Sequence, residues 1–268
     1  YNGYFDWKVC VLAILTTLSF QILSNFANDY GDGIKGTDNN NRIGPERAIQ
    51  SGKISPEEMF NAIKINVLIS IGLAFFLVFS AFGVKHFLLT IIFFVLGIGC
   101  IIAAIRYTVG KNAYGYKGMG DFFVFLFFGL ISVIGCYVLY AKTIDHVVFL
   151  PACTIGLLSA AVLNLNNMRD RDNDAAVGKR TLAVILGTRA KGYHVVLIGI
   201  AITVLVGVFF WTQFRFYWLP MLIVFPLVAH LRVVVKNKVP KDLDPELKKL
   251  AGTTFLLSLL IFITLYLG

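Results

Sequence analysis

Apolar residues occur along this chain in long uninterrupted runs, without the alternation typical of half-buried strands or the one-sided stripe of soluble helices. Eight runs reach the length of about 20 residues that a helix needs to cross a bilayer. No acidic residue stands in the middle of any of them. These runs predict membrane-spanning helices at about 8–28, 59–82, 87–105, 121–141, 147–167, 193–212, 217–235 and 250–267. The fold class predicted is all-α, a polytopic transmembrane bundle forming one domain over residues 1–268.

Composition supports a membrane protein. Of the 268 residues, 57% are hydrophobic and only 15% are charged, whereas soluble domains carry roughly 25% charged residues. This excludes a disordered chain, a disulfide-rich secreted domain and an ordinary soluble enzyme. The net charge is +9, and most basic residues lie in the long loops after spans one, three, five and seven. We therefore read the charge as placing these loops in the cytoplasm, and not as a sign of nucleic-acid binding.

A cluster of Asp and Asn residues follows the first span. If the helix continues to Asp32, then Asp29 and Asp32 share a face because they are three residues apart. Asn25 and Asn28 lie on nearly the same stripe. The end of this helix is therefore predicted to present carboxylate and amide oxygens together.

An equivalent cluster follows the fifth span, where Asp170 and Asp174 share a face and Asn166 lies one turn earlier. Four spans separate the clusters, so both emerge on one side of the membrane. Carboxylates that meet there repel each other unless a cation lies between them. Their oxygens suit Mg2+, which completes its shell with substrate phosphates. Basic residues occur near both clusters: Arg42, Arg47, Lys53, Arg169, Lys179 and Arg180. The pattern predicts a site for a Mg2+-bound diphosphate.

Three other interpretations compete with this one. Asp and Asn at helix ends are often caps or solvated turn residues, but two clusters at equivalent ends favour a site. A cation transporter would use acidic residues inside the membrane, whereas these residues lie at span ends. A structural membrane protein leaves the paired motifs unexplained.

The loop over residues 106–121 is rich in Gly and Tyr and lies on the same side as both clusters. It contains Lys111 and Lys117. These lysines either contact lipid headgroups or belong to a lid that closes over the cytoplasmic mouth and binds an anion.

Segments 28–32 (NDYGD) and 170–174 (DRDND) resemble the two Asp-rich motifs of the UbiA superfamily of intramembrane prenyltransferases. A finer similarity is to its MenA branch, the 1,4-dihydroxy-2-naphthoate polyprenyltransferases of menaquinone synthesis. The segments that carry it are 35–38 (KGTD), 42–45 (RIGP), 166–170 (NNMRD), 178–184 (GKRTLAV) and 107–126. The resemblance covers essentially the whole chain.

The resemblance implies nine spans around a central cavity with cap loops on the cytoplasmic side. Eight spans are counted here, so the family's first helix is expected to be missing from this sequence. The third acidic position of the family's first motif is Gly36, as in the MenA branch, and Asp38 is an open candidate to substitute for it.

Carried over by position, the resemblance implies catalytic roles for Asp32, Asp170, Asp174 and Arg169. Metal ligands would be Asn28, Asp32, Asp170 and Asp174, with Asp29 as a further ligand or a supporting carboxylate. Diphosphate would bind Arg169, Lys179 and Arg42, with either Lys111 or Lys117. Further substrate contacts are expected from Asn25, Asn28, Asn166, Asn167 and Tyr107.

The implied reaction is Mg2+-dependent transfer of a polyprenyl group from polyprenyl diphosphate to 1,4-dihydroxy-2-naphthoate, with loss of CO2 and diphosphate, giving demethylmenaquinol. The implied location is the bacterial cytoplasmic membrane, with the active site toward the cytoplasm. The expected partners are these two substrates and the lipid bilayer, without nucleic acid. The alternative within the superfamily is another aromatic acceptor, namely 4-hydroxybenzoate, homogentisate or haem.

Overall fold

The computed structural model describes residues 5–212 and 216–267, and within these ranges the chain forms helices and connecting turns without strands. The helices are α1 (Trp7–Ile34), α2 (Pro56–Phe82), α3 (Phe87–Arg106), α4 (Gly120–Val124), α5 (Gly135–Ala141), α6 (Phe149–Ala176), α7 (Leu182–Leu186), α8 (Ala190–Thr212), α9 (Trp218–Met221), α10 (Val224–Lys236) and α11 (Asp244–Leu267). In this part of the chain, eight helical segments are long and apolar enough to cross a membrane. They coincide with the eight predicted spans, so the all-α polytopic fold is confirmed.

The fourth span is continuous from α4 to α5 but is not a regular α-helix throughout. Its middle, Phe125–Ile134, forms π-helical turns, a local geometry that is frequent at functional sites. This segment packs closely on α6, because a Cβ added to Gly129 would come within 2.6 Å of the Gly156 Cα. Small residues at such contacts let helix backbones touch inside a membrane.

The two largest of four apolar cores in the described part of the chain hold the halves of the bundle together. One core joins α6, α8, α10 and α11 through buried side chains that include Leu158, Ile198, Leu227 and Leu257. The other joins α1 and α2 to the fourth span, with Val9, Phe82 and Val138 among its members. Because α6 also packs on the fourth span, it occupies the middle of the bundle and connects the two halves.

Local sequence signals set the helix starts on the side that carries the long loops. Ser55 forms a capping box with Glu58 at the start of α2, with Pro56 as the first helical residue. Helix α11 begins at Asp244. Both starts carry local signals of a helix N-terminus, namely the capping box of α2 and the acidic first turn of α11. They lie on the same side as the carboxyl-terminal ends of α1 and α6.

Candidate functional site

Both acidic motifs lie on helices, as the sequence predicted. Helix α1 continues to Ile34 and helix α6 continues to Ala176, so each motif occupies the last turns of its helix. Asp32, Asp170 and Asp174 are all at least 95% buried. The two helix ends therefore hold several acidic side chains away from bulk water, where unpaired charges are costly.

Asp32 is surrounded by donors from three different segments. The Tyr116 hydroxyl donates a hydrogen bond of 2.7 Å to Asp32 Oδ1. Arg47 and Lys179 approach Asp32 Oδ2, at 3.3 Å and 3.2 Å. Two cations and a phenol thus compensate the buried charge of this carboxylate.

The two motifs are joined by contacts that run in both directions. Lys179, from the loop after α6, reaches Asp32 on α1. In return, Arg42, from the loop after α1, approaches Asp170 on α6, with 3.9 Å between Nε and Oδ2. Asn173 also donates a hydrogen bond of 3.0 Å to the Thr37 carbonyl oxygen. The structure therefore brings the two clusters together at one place.

Arg169 is engaged by acidic and amide partners. Its Nε and Nη2 donate to the two oxygens of Asp170, at 3.0 Å and 2.7 Å. Its Nη1 donates to Asp244 at 2.6 Å, and Nη2 also donates to Asn166 at 2.8 Å. The guanidinium consequently fixes the orientation of the Asp170 carboxylate and links α6 to the start of α11.

Asp29 faces a different set of atoms from Asp32. Its two carboxylate oxygens accept hydrogen bonds from the backbone N–H groups of Ala48 and Ile49, at 3.0 Å and 3.3 Å. This contact ties the loop between α1 and α2 to the end of α1. It also places the neighbouring Arg47 beside Asp32.

Asp38 lies inside the cluster, between Arg42 and Arg47. The distances from its carboxylate oxygens are 3.2 Å to Arg42 Nε and 3.4 Å to Arg47 Nη1. Burial raises the pKa of Asp38 above its usual value, while the two arginines act in the opposite direction. The sequence left open whether Asp38 replaces the third acidic residue of the first motif. In the structure Asp38 adds a further buried carboxyl group to the cluster.

The loop between α3 and α4 covers the end of α1. Thr108 donates a hydrogen bond of 2.7 Å to the Ala27 carbonyl oxygen and also contacts the Asn28 side-chain oxygen at 3.3 Å. The Tyr116 hydroxyl contacts Thr37 at 2.6 Å as well as Asp32. Burial, together with the nearby charge of Asp32, raises the pKa of Tyr116. The phenol therefore stays protonated and available as a donor.

The two lysines of this loop lie on its outer surface. Lys111 is exposed, and Lys117 donates a hydrogen bond of 2.9 Å to the Asn112 side chain. Two other cations lie under the loop, because the Nζ atoms of Lys35 and Lys179 are 3.9 Å and 5.3 Å from the centre of the Tyr116 ring. Lys35 also donates to the Thr108 carbonyl oxygen at 2.5 Å.

An apolar cavity of about 420 Å³ opens beneath the first motif. Asn25, Asn28 and Tyr107 line its mouth, and it extends between α1, α2, α3 and the fourth span to Cys136 and Leu139. Aromatic side chains form much of its wall: Phe20, Phe93, Phe123, Phe127 and Phe128. A volume of this size is typical of small-molecule sites, so the cavity can hold an apolar group whose polar end lies at the acidic cluster.

The acidic cluster offers the oxygen donors that Mg2+ prefers. In the part of the chain that the structure describes, no group of three or more Asp, Glu, His or Cys side chains is already arranged around one point. The carboxylates are paired with arginine and lysine side chains instead. The donor chemistry fits an ion bound by a few carboxylates and completed by substrate phosphates.

Several residues of the site were missed by sequence reasoning. Tyr116 belongs to the Gly- and Tyr-rich loop, where sequence reasoning singled out Lys111, Lys117 and Tyr107 instead. Asp244 lies at the start of α11, and nothing in the sequence indicated its ion pair with Arg169. Two residues that the sequence did predict as substrate contacts lie on α6: Asn166 accepts a hydrogen bond from Arg169, and Asn167 is buried.

Comparison with known proteins identifies relatives of the whole chain. The UbiA prenyltransferase family matches residues 1–265. A protein of Haemophilus influenzae named 1,4-dihydroxy-2-naphthoate octaprenyltransferase is 40% identical over 273 residues, which cover 98% of this chain and 86% of that protein. The protein of the same name in Escherichia coli is also 40% identical over 273 residues, covering 100% and 87%. A third of this name, in Mycobacterium leprae, is 37% identical over 183 residues, covering 68% and 58%. No solved structure matches the chain.

Proposed function

This chain belongs to the UbiA prenyltransferase family and is a membrane prenyltransferase, and we propose that it transfers a polyprenyl group from polyprenyl diphosphate to 1,4-dihydroxy-2-naphthoate. The reaction would depend on Mg2+, release diphosphate and CO2, and give demethylmenaquinol. The observation that carries the proposal is the junction of two Asp-rich helix ends at the mouth of an apolar cavity. The names of relatives that share 40% identity with nearly the full chain support this choice of acceptor.

Four residues of the two helix ends would hold the metal: Asn28, Asp32, Asp170 and Asp174. When bound, Mg2+ would supply positive charge to the diphosphate as it leaves. Asp29 has a different role in this proposal. Because both of its oxygens accept backbone N–H groups, it holds the loop that carries Arg47.

The cations that now pair with these carboxylates would bind the diphosphate oxygens. Lys179, Arg42 and Arg47 all lie within 4 Å of Asp32 or Asp170, so an anion bound between the helix ends meets them directly. Arg169 would orient Asp170, because acidic and amide partners already engage its guanidinium. Lys111 or Lys117 would reach the diphosphate only after a movement of the loop.

The cavity would receive the prenyl chain and shelter the reacting carbon. Cleavage of the allylic C–O bond leaves positive charge on that carbon, and the electron pair leaves with the diphosphate. Phe20, Phe93 and Phe123 line the cavity. Their rings exclude water, which would otherwise trap the cation, and their faces attract positive charge.

The naphthoate ring then attacks through the carbon that bears its carboxylate. A new C–C bond forms to the prenyl carbon, and the carboxylate leaves as CO2. The electron pair of the broken C–C bond restores the aromatic ring, so no proton has to be removed from the attacked carbon. Tyr107, Asn25 and Asn28 line the mouth of the cavity and would contact the acceptor there.

The position of the basic loops supports an orientation for the enzyme. Most of the basic residues lie in the loops after α1, α3, α6 and α10 or on the helix ends that flank these loops, which favours the cytoplasmic side for them and for the acidic cluster. We propose a bacterial cytoplasmic membrane as its location, because the relatives named above are bacterial proteins.

An acceptor screen tests the proposal. The purified protein in detergent is given one polyprenyl diphosphate and either 1,4-dihydroxy-2-naphthoate, 4-hydroxybenzoate, homogentisate or haem, with Mg2+ or with EDTA. Product mass and CO2 release are followed. We expect Mg2+-dependent product and an equal amount of CO2 with the naphthoate alone. Preference for another acceptor, or turnover in EDTA, would contradict the proposal.

A further inference from the structure

A groove separate from the cavity at the acidic cluster opens between α10 and α11. Its volume is about 360 Å³, within the range of about 300–1,000 Å³ that small-molecule sites occupy. Pro226 and Val233 line one wall, and Gly252 and Leu256 line the other. Val233 is 45% exposed and Leu256 is 41% exposed. Because both helices belong to membrane spans, the groove faces the lipid of the bilayer.

Gly252 leaves open space along the groove. It lies in the interior of α11, yet a Cβ added at this position would meet no packed neighbour within 4 Å. An unfilled gap at a surface loses the dispersion contacts of the atoms that line it. Inside a bilayer, acyl chains are flexible apolar groups that can fill such a gap. The shape of the groove therefore suits a lipid chain.

The groove is polar at the end nearest the basic loops. There Glu246 Oε2 lies 2.7 Å from His230 Nδ1, and Lys249 donates a hydrogen bond of 2.5 Å to Glu246 Oε1. Glu246 and His230 are at least 96% buried, whereas the Lys249 side chain is 64% exposed. An ammonium group has three N–H donors, and the contact with Glu246 uses one of them. Lys249 can therefore offer its other donors to an anion at this end of the groove.

The segment around this end carries an excess of positive charge. Residues 232–249 contain six basic and three acidic residues. Two of the acidic side chains are already paired, because Asp244 contacts Arg169 and Glu246 contacts Lys249. The basic side chains are all exposed: Arg232, Lys236, Lys238, Lys241, Lys248 and Lys249. Basic clusters beside and between membrane spans attract anionic lipid headgroups.

We propose that the groove between α10 and α11 binds one anionic phospholipid of the surrounding membrane, with its phosphate at Lys249 and one acyl chain along Gly252. The chain lies on the apolar walls, where burial of each methylene group stabilises the complex. The headgroup lies beside the basic segment, whose charge selects an anionic lipid over a neutral one. The lipid contacts both helices and thereby stabilises their packing. Because it binds outside the cavity for the prenyl chain, this role is independent of the proposed function.

Native mass spectrometry of the purified full chain measures this binding without turnover. Delipidated protein in detergent is titrated with dioleoylphosphatidylglycerol or dioleoylphosphatidylcholine, which share their acyl chains and differ in net charge. We expect the first phosphatidylglycerol to bind about fivefold or more tightly than phosphatidylcholine, as one headgroup–cation contact provides. Phosphatidylglycerol should also raise the unfolding temperature more than phosphatidylcholine does.

Three variants test the two ends of the groove. Lys249→Gln should weaken phosphatidylglycerol binding about fivefold and leave phosphatidylcholine binding within about twofold, because it removes the charge and keeps the walls. Lys249→Arg keeps the charge and should retain the preference for phosphatidylglycerol. Gly252→Phe puts a ring in the place of the acyl chain and should weaken binding of both lipids about tenfold or more.

Two variants on other spans serve as matched controls. Lys64→Gln removes an exposed lysine near the start of α2, and Gly99→Phe fills an exposed open position on α3. Both should bind the two lipids as the wild type does.

Equal affinity of the wild type for the two lipids would overturn the proposal, as would wild-type affinity of Gly252→Phe for phosphatidylglycerol. An unchanged lipid preference in Lys249→Gln would overturn it even if Gly252→Phe fails to fold. The same spectra report the oligomeric state. A dimer that Gly252→Phe converts to a monomer would assign the groove to a second copy of the chain instead.

Discussion

Asp32 and Asp170 are expected to matter most to the proposed site, because they lie on different helix ends and each contacts a cation from the loop of the other motif. We predict that Asp32→Asn and Asp170→Asn each lower turnover about 100-fold or more, as loss of one preorganised electrostatic group does. Asn keeps the shape of Asp but removes the charge that pairs with Lys179 or Arg169, so the unfolding temperature should fall and turnover is compared where the variants remain folded.

Asp172 provides a matched control for this measurement. It lies in the second motif, but its side chain is 78% exposed and pairs with Arg171 at the surface. Asp172→Asn should keep nearly full activity. Full activity of Asp32→Asn or Asp170→Asn at saturating Mg2+ would refute the assignment.

Asp29 gives a second prediction, because its carboxylate accepts two backbone N–H groups and the resemblance alone left its role open. Asp29→Ala leaves the N–H groups of Ala48 and Ile49 without an acceptor, at a cost of about 1–3 kcal/mol for each. We expect a lower unfolding temperature and faster hydrogen exchange over residues 47–52. Loss of pyrophosphate binding without faster exchange would instead identify Asp29 as a metal ligand.

The burial of Asp38 leads to a prediction about how the stability of the protein depends on pH. Burial raises its pKa, so the folded protein binds a proton more readily there than the unfolded chain does. This group therefore favours folding at pH below its usual pKa, and the benefit is lost as pH rises through the raised pKa. Asp38→Asn should unfold at a higher temperature than the wild type at pH 7, and the difference should vanish below about pH 4. A lower unfolding temperature at pH 7 would mean that the pairs with Arg42 and Arg47 outweigh the cost of burial.

At the scale of elements, the loop between α3 and α4 is held on the end of α1 by Thr108 and Tyr116. Tyr116 donates to Asp32, which is also a proposed metal ligand, so the loop and the bound ion share one carboxylate. We predict that Tyr116→Phe removes this contact and speeds hydrogen exchange over residues 107–119 while leaving α1 itself protected. Unchanged exchange would show that Thr108 and packing hold the loop without the phenol.

The position of this loop could be predicted from the sequence, but the orientation of its side chains could not. Glycine and tyrosine content and its place between two spans indicated a segment near the site. Which side chains point inward depends on tertiary packing, and here Lys111 and Lys117 are exposed whereas Tyr116 faces Asp32. Helix ends were more predictable, because the Ser55 capping box is a local signal.

For the whole molecule, the span positions followed from the length of each apolar run, which bilayer thickness dictates. Motif spacing on α1 and α6 likewise predicted which carboxylates share a face. The partner of each cation was not predictable, because Lys179 meets Asp32 only through the packing of distant helices. The same holds for Asp244, which joins Arg169 from the last helix.

The central claim is that the ends of α1 and α6 form one site for diphosphate and Mg2+. Calorimetric titration of pyrophosphate with Mg2+ into the wild type, Asp32→Asn, Asp170→Asn and the control Asp172→Asn tests it without depending on turnover. We expect binding that requires Mg2+ in the wild type and the control, and loss of most of that affinity in both other variants. Wild-type affinity in either Asp32→Asn or Asp170→Asn would show that the two helix ends do not share one site.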